Sequence, residues 1–247
     1  MNPIQLLGKL YLIPCTLSNP GETTVNPNDV LPQSIKRVID FIDDYIVENE
    51  KTARKFIKSI HPEKKQPSLQ LVTLNKRTEA VAYLEMIQPL LKGKNMGLMS
   101  ESGCPGVADP GAVIVKLAHE KGIQVIPLVG PSSILLAVMA SGMNGQNFAF
   151  NGYLPIDKHE KKAALKSLER VSFDKNQSQL FIETPYRNNT IFEDMLVTLH
   201  ADTWLCVACD ITLPTEFIKT KTIKEWQKNK VDLQNRPCIF IIYKQSF

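Results

Sequence analysis

The sequence predicts an α/β fold with two domains, each a mostly parallel or mixed β-sheet flanked by helices. Strand-like apolar runs alternate with amphipathic helical patterns along the chain. The 247 residues suffice for two domains of ordinary size. A first series of strands ends at a Gly-Pro turn and a second series follows, so we expect domains at 1–128 and 129–247.

The predicted strands are apolar runs bounded by turn residues. In chain order they are Lys9–Ile13, Leu69–Leu74, Met96–Ser100, Gln124–Leu128, Gln179–Glu183, Leu205–Ala208 and Cys238–Tyr243. Helical periodicity predicts helices at Ser34–Glu48, Thr78–Leu91, Ala112–Lys121, Ser132–Ser141 and Asn189–Leu199. This alternation indicates parallel strands joined by crossover helices.

Composition and charge are those of an ordinary globular protein. Hydrophobic residues make up 43% of the chain and charged residues 22%. The net charge of +4 permits a polyanionic partner but does not require one. The basic segments Lys158–Lys166 and Lys219–Lys230 are more typical of solvated helix faces than of binding patches.

The cysteines predict neither a metal site nor a disulfide framework. They are an odd number, Cys15, Cys104, Cys206, Cys209 and Cys238. Cys206 and Cys209 are the nearest pair, and residues three apart on a strand point to opposite faces. We therefore expect buried, reduced thiols.

Two apolar stretches resemble targeting or membrane segments only superficially. Ile4–Ile13 is interrupted by Gly8 and Lys9, unlike a signal peptide. Val125–Met143 approaches membrane-spanning length, but prolines and a glycine divide it into a strand, a turn and a helix. We therefore expect a cytoplasmic protein without a membrane partner.

The most unusual segment is Ser100–Gly111, which follows a predicted strand and contains three glycines, two prolines and two acids. Ligands of open α/β sheets bind at the carboxyl ends of strands, and glycines let a ligand approach the backbone. The segment lacks both Gly-Lys-Ser/Thr and Gly-x-Gly-x-x-Gly, which disfavours phosphate cradling. The alternative is a rigid turn with Asp109 as helix N-cap and Pro110 at the first helical position.

Three further polar loops follow strands, namely Pro14–Asn19, Val129–Ser133 and Glu183–Arg187. Ser132 and Ser133 alone are better explained as helix N-caps. Several polar loops at strand ends on one chain nevertheless predict a shared binding cleft.

The order and spacing of several segments carry a family resemblance. They are Met99–Gly111, Val125–Ser133, Ser141–Met143, Phe148–Phe150 and Gly152–Pro155. These segments resemble the tetrapyrrole-methylase superfamily, and most of all its ribosomal RNA small-subunit methyltransferase I branch. Corresponding motifs in that branch read Ser-Asp-Ala-Gly-Thr-Pro-x-Ile-Ser-Asp-Pro-Gly, Pro-Gly-Pro-Ser-Ala and Gly-Phe-Leu-Pro. The resemblance extends from about Leu10 to Tyr243.

The resemblance implies a fold and a ligand. Members of the superfamily bind S-adenosylmethionine between two α/β domains, usually as homodimers, without a metal. By position, the implied donor contacts are Pro14, Glu101, Gly103, Gly106, Val107, Ala108, Ser132, Ser133, Ile182, Glu183, Thr184, Ala208, Ile211 and Pro237.

Departures from the family pattern concern the substrate more than the donor. The family's Glu-Asp-Thr-Arg and Glu-Ser-Pro-His-Arg motifs correspond here to Glu48–Lys51 and Glu183–Arg187. Its Arg-Glu-Leu-Thr-Lys and Thr-Pro-Ile-Gly-Asn-Leu motifs correspond to Cys209–Leu213 and Pro14–Pro20, and its Glu-His-Asn motif is reduced to Leu74-Asn75.

The implied reaction is 2′-O-methylation of a cytidine in 16S ribosomal RNA. A ribose hydroxyl needs a proton acceptor, for which Glu48, Lys51 and Glu183 are candidates. RNA phosphates are expected to contact Lys51, Arg54 and Arg187, although all three are equally explained as solvated charges. The alternatives are methylation of a tetrapyrrole or another small molecule, and a non-catalytic protein that binds S-adenosylmethionine or RNA.

Overall fold

The computed structural model of the chain describes residues 6–18 and 25–245. Ile4 of the apolar N-terminal stretch, and Asn19 and Pro20 of the first loop, lie outside the described residues. The chain divides into two compact units, Met1–Ser132 and Ser133–Phe247. This division falls within the turn that follows the expected boundary at residue 128.

The first unit contains a five-stranded parallel sheet. Its strands are β1 (Lys9–Leu12), β2 (Asp44–Val47), β3 (Gln70–Thr73), β4 (Met96–Met99) and β5 (Gln124–Pro127), in the order β3-β2-β4-β1-β5. The neighbouring strands all pair in parallel. Because the carboxyl ends of parallel strands meet at one edge, the loops that follow them are brought together there.

Helices and apolar side chains cover both faces of this sheet. The helices are α1 (Pro27–Val30), α2 (Gln33–Phe41), α3 (Glu50–Ile60), α4 (Ala80–Met86), α5 (Gln88–Leu91) and α6 (Ala112–Glu120). One buried cluster contains Tyr45 with Ile39 and Ile57, and another contains Ile46 with Ile114. Tyr45 and Ile46 are successive residues of β2 and point to opposite faces, so each face has its own core.

One predicted helix of the first unit is wrong and another is divided. Ser34–Glu48 is not a single helix, because α2 ends at Phe41 and β2 follows. Ile42 and Ile46 are four residues apart and imitate a helical repeat, but Ile42 is already extended and β2 is rich in strand formers. The helix predicted over Thr78–Leu91 is split at Ile87, two residues before Pro89, which cannot donate a backbone hydrogen bond.

The second unit contains a mixed five-stranded sheet. Its elements are α7 (Ser133–Ser141), β6 (Phe148–Tyr153), α8 (Lys158–Lys175), β7 (Ser178–Ile182), α9 (Asn188–Thr198), β8 (Trp204–Cys209), β9 (Phe217–Thr222), α10 (Ile223–Lys228) and β10 (Cys238–Tyr243). The order is β6-β7-β10-β8-β9, with β6 parallel to β7 and the other pairs antiparallel. The prediction of an α/β fold in which each domain has a mostly parallel or mixed sheet is confirmed, since one sheet is parallel and the other is mixed.

Both edge strands of this sheet were missed by the sequence patterns. β6 includes Asn151 and Gly152, which interrupt its apolar run. β9 occupies part of the segment Lys219–Lys230 that was interpreted as a solvated helix face, and only Ile223–Lys228 of it is helical. Edge strands carry charges and irregularities that weaken the apolar signal.

The expectation of reduced thiols is wrong for one pair of cysteines. Cys209 and Cys238 lie opposite each other on the antiparallel strands β8 and β10, with Cα atoms 4.3 Å apart, and form a disulfide. Cross-strand register, which sequence spacing does not reveal, brings them together. Cys15, Cys104 and Cys206 are free thiols. Burial raises the pKa of Cys206 to about 11, although a hydrogen bond with Thr220 opposes the shift.

Among the described residues, none of the helices combines the length and apolar character needed to cross a bilayer.

Candidate functional site

The loop after β4 is held against the loop after β1 at the carboxyl edge of the first sheet. The backbone N–H of Cys15 donates to the Gly103 carbonyl at 2.9 Å, and the N–H of Gly103 donates to the Thr16 carbonyl at 3.4 Å. The Cys15 thiol donates to the Ser100 carbonyl at 3.2 Å. The predicted loop Ser100–Gly111 therefore has a defined position beside the first loop.

At this edge a carboxylate that follows one strand is hydrogen-bonded to the backbone that follows another. Glu48 follows β2, and its Oε2 accepts a hydrogen bond of 2.7 Å from the backbone N–H of Glu101, which follows β4. The Thr52 hydroxyl on α3 donates to Glu101 Oε1 at 3.4 Å. These contacts bring together one candidate base and one candidate donor contact that lie far apart in the sequence.

Asp109 organises the remainder of the loop. Its carboxylate accepts from the backbone N–H of Gly106 at 2.9 and 2.8 Å, and from that of Gly111 at 2.6 Å. The predicted role as helix N-cap is wrong, because α6 begins at Ala112 and its N-cap is Gly111. Asp109 therefore closes the glycine loop on itself, and Pro110 precedes the helix.

The surroundings at this edge raise the pKa values of two carboxyl groups, Glu48 and Asp109. Burial is the largest effect raising the pKa of Glu48, and the nearby carboxylates of Asp109 and Glu101 raise it further. The N–H of Glu101 and the Lys76 ammonium act in the opposite direction. Burial also raises the pKa of Asp109, against its hydrogen bonds from Gly111 and Gly106. Glu48 and Asp109 line one crevice together with Leu98 and Pro105.

The glycines at this edge differ in whether their backbone is open or packed against other residues. Gly106 has φ +85° and a Cβ there would meet no protein atom within 4 Å, so its backbone faces open space. Gly111 is packed, because a Cβ there would lie 2.8 Å from Asp109 Oδ1. A Cβ at Gly130 would lie 2.2 Å from the Cβ of Pro14, so the Gly-Pro turn packs directly on the first loop. Of these positions, Gly106 is the one open to a ligand.

The other predicted contacts in the first unit differ in exposure. Pro14 and Gly103 are buried, whereas Glu101, Val107 and Ala108 are exposed. Ala108 has φ +60°, the left-handed region that non-glycine residues rarely adopt. Ser132 is half-buried and is the last residue of this unit.

Cys104 is anchored to the Gly-Pro turn in the same unit. Its thiol donates to the Pro131 carbonyl at 3.4 Å. Burial raises the pKa of this thiol.

The second unit has its own cluster at the end of β7. Glu183 is buried, and its Oε1 accepts from the N–H of Thr184 at 2.6 Å and from its hydroxyl at 3.1 Å. The Arg187 guanidinium donates to the same oxygen from Nη2 at 2.6 Å and from Nε at 3.0 Å. These charge-assisted hydrogen bonds occupy one oxygen of Glu183 and engage Arg187 within the unit.

An ion pair that the sequence did not indicate lies where β8 ends and β10 begins. Asp210 Oδ2 accepts from Arg236 Nε at 2.8 Å and from the Thr215 hydroxyl at 2.9 Å. The N–H of Asp210 donates to the Pro237 carbonyl at 3.0 Å. The donor contacts implied by resemblance in this region are Ala208, Ile211 and Pro237. In the sequence, Asp210 and Arg236 stand beside these positions and could have indicated an ion pair. Their pairing depends on strand register, which the sequence does not show.

Of the other positions implied by resemblance in the second unit, Ser133 begins α7 and Ile182 ends β7. Both are half-buried.

The predicted phosphate contacts on α3 have different surroundings. Arg54 donates from Nε and Nη2 to Glu50 Oε1 at 3.1 and 2.8 Å, and from Nη1 to the Gln66 carbonyl at 2.8 Å. Lys51 is exposed at the start of α3. Lys76, after β3, is also exposed and is close enough to Glu48 to influence its pKa. The sequence interpretation overlooked Lys76, which adjoins the reduced Leu74-Asn75 motif.

Within the described residues, no group of three or more His, Cys, Asp or Glu side chains is arranged to hold a metal ion.

Two solved structures with the same fold are named as methyltransferases. The chain superposes on the methyltransferase CobJ with a TM-score of 0.60 and 13% identity, covering 96% of this chain and 99% of that one. A uroporphyrin-III C-methyltransferase from Thermus thermophilus in complex with S-adenosylhomocysteine gives a TM-score of 0.56 and 16% identity, covering 96% and 98%. These likenesses establish a shared fold.

Sequence relatives decide the family. A ribosomal RNA small subunit methyltransferase I from Buchnera aphidicola subsp. Schizaphis graminum is 28% identical, with 98% of this chain and 80% of that protein covered. The enzyme of that name from Bacillus subtilis is 30% identical over 238 residues, covering 95% of this chain and 75% of that protein. This chain belongs to the ribosomal RNA small subunit methyltransferase I family. No family model matches the chain.

Family membership confirms two predictions from the sequence. The resemblance to the tetrapyrrole-methylase superfamily and to this branch is correct. The chain is accordingly an S-adenosylmethionine-dependent methyltransferase.

Proposed function

We propose that this chain transfers the methyl group of S-adenosylmethionine to the 2′-oxygen of a nucleotide in small-subunit ribosomal RNA. The names of its relatives support ribosomal RNA as the acceptor. The observation that carries the proposal is the edge of the first sheet, where Glu48, Glu101 and the open backbone of Gly106 belong to one hydrogen-bonded set of loops.

Donor contacts are proposed separately for each unit. In the first unit they come from the loops after β1, β4 and β5, at Pro14, Glu101, Gly103, Gly106, Val107, Ala108 and Ser132. In the second unit they come from the start of α7 and from strand ends, at Ser133, Ile182, Glu183, Thr184, Ala208, Ile211 and Pro237. Carboxylates such as Glu101 accept hydrogen bonds from ribose hydroxyls or an amine, and exposed amides donate to ligand acceptors.

Glu48 is the best supported proton acceptor among the three candidates. Its pKa is raised, and a base whose pKa is nearer to the working pH removes a proton more effectively. Glu183 is less suitable, because Thr184 and Arg187 already donate to one of its oxygens. Lys51 is exposed at the start of α3, whereas the Glu48 carboxylate is fixed by the N–H of Glu101.

The chain's residues supply position and charge rather than covalent catalysis. A sulfonium carbon is attacked in line, so the acceptor oxygen must be held opposite the departing sulfur. The Glu101 N–H orients the Glu48 carboxylate through the 2.7 Å hydrogen bond. A sulfonium is a sufficiently good leaving group that the proposed transfer needs no metal.

Lys51 is the most accessible of the three proposed phosphate contacts. Arg54 and Arg187 use their guanidinium groups in ion pairs with Glu50 and Glu183. The proposal therefore assigns the main backbone contact near the site to Lys51 and adds Lys76, which is exposed beside Glu48.

Two further parts of the proposal follow from the family resemblance. We propose a cytoplasmic location, where the ribosome is the substrate, and a homodimeric state. Sedimentation of the purified protein would give the mass of a dimer, and a monomer at micromolar concentration would contradict the dimer.

The test is a map of ribose methylation on ribosomal RNA from strains with and without the gene. We expect one 2′-O-methyl group to disappear from the small-subunit RNA and to return with the wild-type gene but not with Glu48→Gln. An unchanged map would contradict the RNA acceptor. In that case the acceptor would be sought among tetrapyrroles and other small molecules.

A further inference from the structure

A marked excess of positive charge in the second unit lies on β9, on α10 and on the two residues that follow α10. The segment 217–230 contains five lysines and a single acid, whereas the whole chain has a net charge of only +4. The lysines are Lys219, Lys221, Lys224, Lys228 and Lys230, and the acid is Glu225. So strong a local excess of positive charge attracts a polyanion.

The fold turns this segment into a surface. β9 is an edge strand that pairs with β8 on one side. Phe217 packs against the buried Trp226 of α10, with ring centroids 6.5 Å apart, and the Lys221 ammonium lies 4.7 Å from the centroid of the same indole. Trp226 also donates to the Leu205 carbonyl at 2.9 Å, which fixes α10 against the sheet. The strand and the helix therefore present their charges from a rigid support.

Most of these lysines form no ion pair among the described residues, although Lys221 and Lys228 are close enough to Glu225 to help lower its pKa. In the part of the chain that the structure describes, Lys230 has an ion-pair partner, Glu193 at 2.7 Å, and none of the other four lysines has a carboxylate within 4.0 Å. Glu225 is engaged in a capping box with Thr222, which donates to it from its N–H and its hydroxyl. By contrast, Lys161 on α8 is buried against Asp194 at 2.7 Å.

We infer that Lys219, Lys224 and Lys228 form a docking surface for the phosphate backbone of the RNA substrate. This inference rests on the proposed function. All three side chains are exposed, and Lys224 and Lys228 are one helical turn apart on the same face of α10. Such contacts add affinity and orientation without reading the base sequence. They hold the RNA while another part of the protein carries out the transfer.

A different role for the same lysines is protection of the sheet edge. Charged side chains on an edge strand discourage pairing with the edge of another molecule. That role accounts for Lys219 on β9, but it gives no reason for the two lysines on α10, which are not part of the edge.

The test compares two triple variants with equal loss of charge. In one, Lys219, Lys224 and Lys228 are replaced by glutamine, and in the other the exposed α8 residues Lys158, Lys162 and Lys166 are replaced in the same way. Binding to transcribed 16S ribosomal RNA is measured over a range of salt concentrations. Each lost phosphate contact lowers the log–log slope by about 0.7 to 0.9, so the first variant should lose about 2 to 3 from the slope. The α8 variant should retain the wild-type slope.

Controls separate this inference from the proposed function. Calorimetry should give the same S-adenosylmethionine affinity and the same unfolding temperature for both variants and the wild type. The corresponding triple replacement of Lys219, Lys224 and Lys228 by arginine should restore RNA binding. If the wild type binds no ribosomal RNA, the proposed acceptor fails and the surface fails with it.

Three outcomes would overturn the surface alone while the wild type still binds RNA. Equal slopes for all three proteins would show that these lysines do not contact phosphates. Equal losses in the two variants would show a dependence on total charge rather than on this surface. Self-association of the first variant with an unchanged slope would assign the lysines to edge protection.

Discussion

Gly106 offers a direct test of whether the loop after β4 receives a ligand, because it has a matched control in the same unit. Gly106 and Gly122 have φ of +85° and +69°, and a Cβ at either position meets no protein atom within 4 Å. Gly122 lies in the turn between α6 and β5, away from the strand ends that form the candidate site. Alanine therefore imposes the same kind of backbone strain at both positions.

The strain can be separated from the effect on binding. Adopting the left-handed region costs an alanine about 1 to 2 kcal/mol, so Gly106→Ala and Gly122→Ala should lose similar free energies of unfolding. The new Cβ at Gly106 also occupies the open space by which we propose that S-adenosylmethionine reaches the backbone. We expect at least a tenfold loss of donor affinity, about 1.4 kcal/mol, for this variant alone.

Calorimetric titration and urea unfolding measure the two effects on the same samples. With the donor at a hundred times the wild-type dissociation constant, binding should stabilise the wild type and Gly122→Ala by about 2.7 kcal/mol. A tenfold weaker Gly106→Ala variant would gain only about 1.4 kcal/mol at that concentration. Equal donor affinity in both variants would refute the assignment and leave the loop as a structural turn.

Three further predictions concern titration, pairing and the disulfide. Because burial raises the pKa of Glu48, the stability contributed by its protonated form is present at low pH and is lost as the pH rises through the folded-state pKa. The stability of Glu48→Gln relative to the wild type should therefore increase as the pH rises above the usual glutamate range, and a pH-independent difference in urea unfolding would contradict this. Removing the Arg187 side chain should cost about 1 to 3 kcal/mol by leaving Glu183 unpaired, whereas unchanged stability with a flatter RNA salt slope would favour a phosphate contact instead. Reducing the disulfide between Cys209 and Cys238, which closes a loop of 29 residues, should cost roughly 3 to 4 kcal/mol, and full alkylation of both thiols without reductant would contradict the pairing.

Central strands were predictable because burial on both faces gives continuous apolar runs. β4 and β10 are buried along their whole length, and their predicted bounds agree with the structure to within one residue. β9 was missed because only its first two residues are apolar and the other four are lysines and threonines, as an exposed edge strand allows. β2 was missed because its apolar residues continue the helical spacing of α2, and a one-dimensional pattern cannot locate the change of period.

The sequence was sufficient to predict which loop forms the candidate site, but not which residues contact each other there. Glycines and prolines after an apolar strand identified Ser100–Gly111. The hydrogen bond between Glu48 and Glu101 joins residues 53 apart, and the ion pair between Asp210 and Arg236 joins residues 26 apart. These pairs depend on strand order and register, which the sequence patterns do not contain.

The most direct test of the central claim is methyl transfer with purified components. The protein is incubated with S-adenosylmethionine labelled in its methyl group and with small ribosomal subunits from a strain that lacks the gene. We expect label to enter the small-subunit RNA and to be recovered after alkaline hydrolysis in an alkali-resistant dinucleotide, because a 2′-O-methyl group blocks cleavage of the adjacent bond. Glu48→Gln should bind the donor but transfer the label far more slowly. Donor binding without transfer to RNA, or label recovered only on a base, would contradict the account.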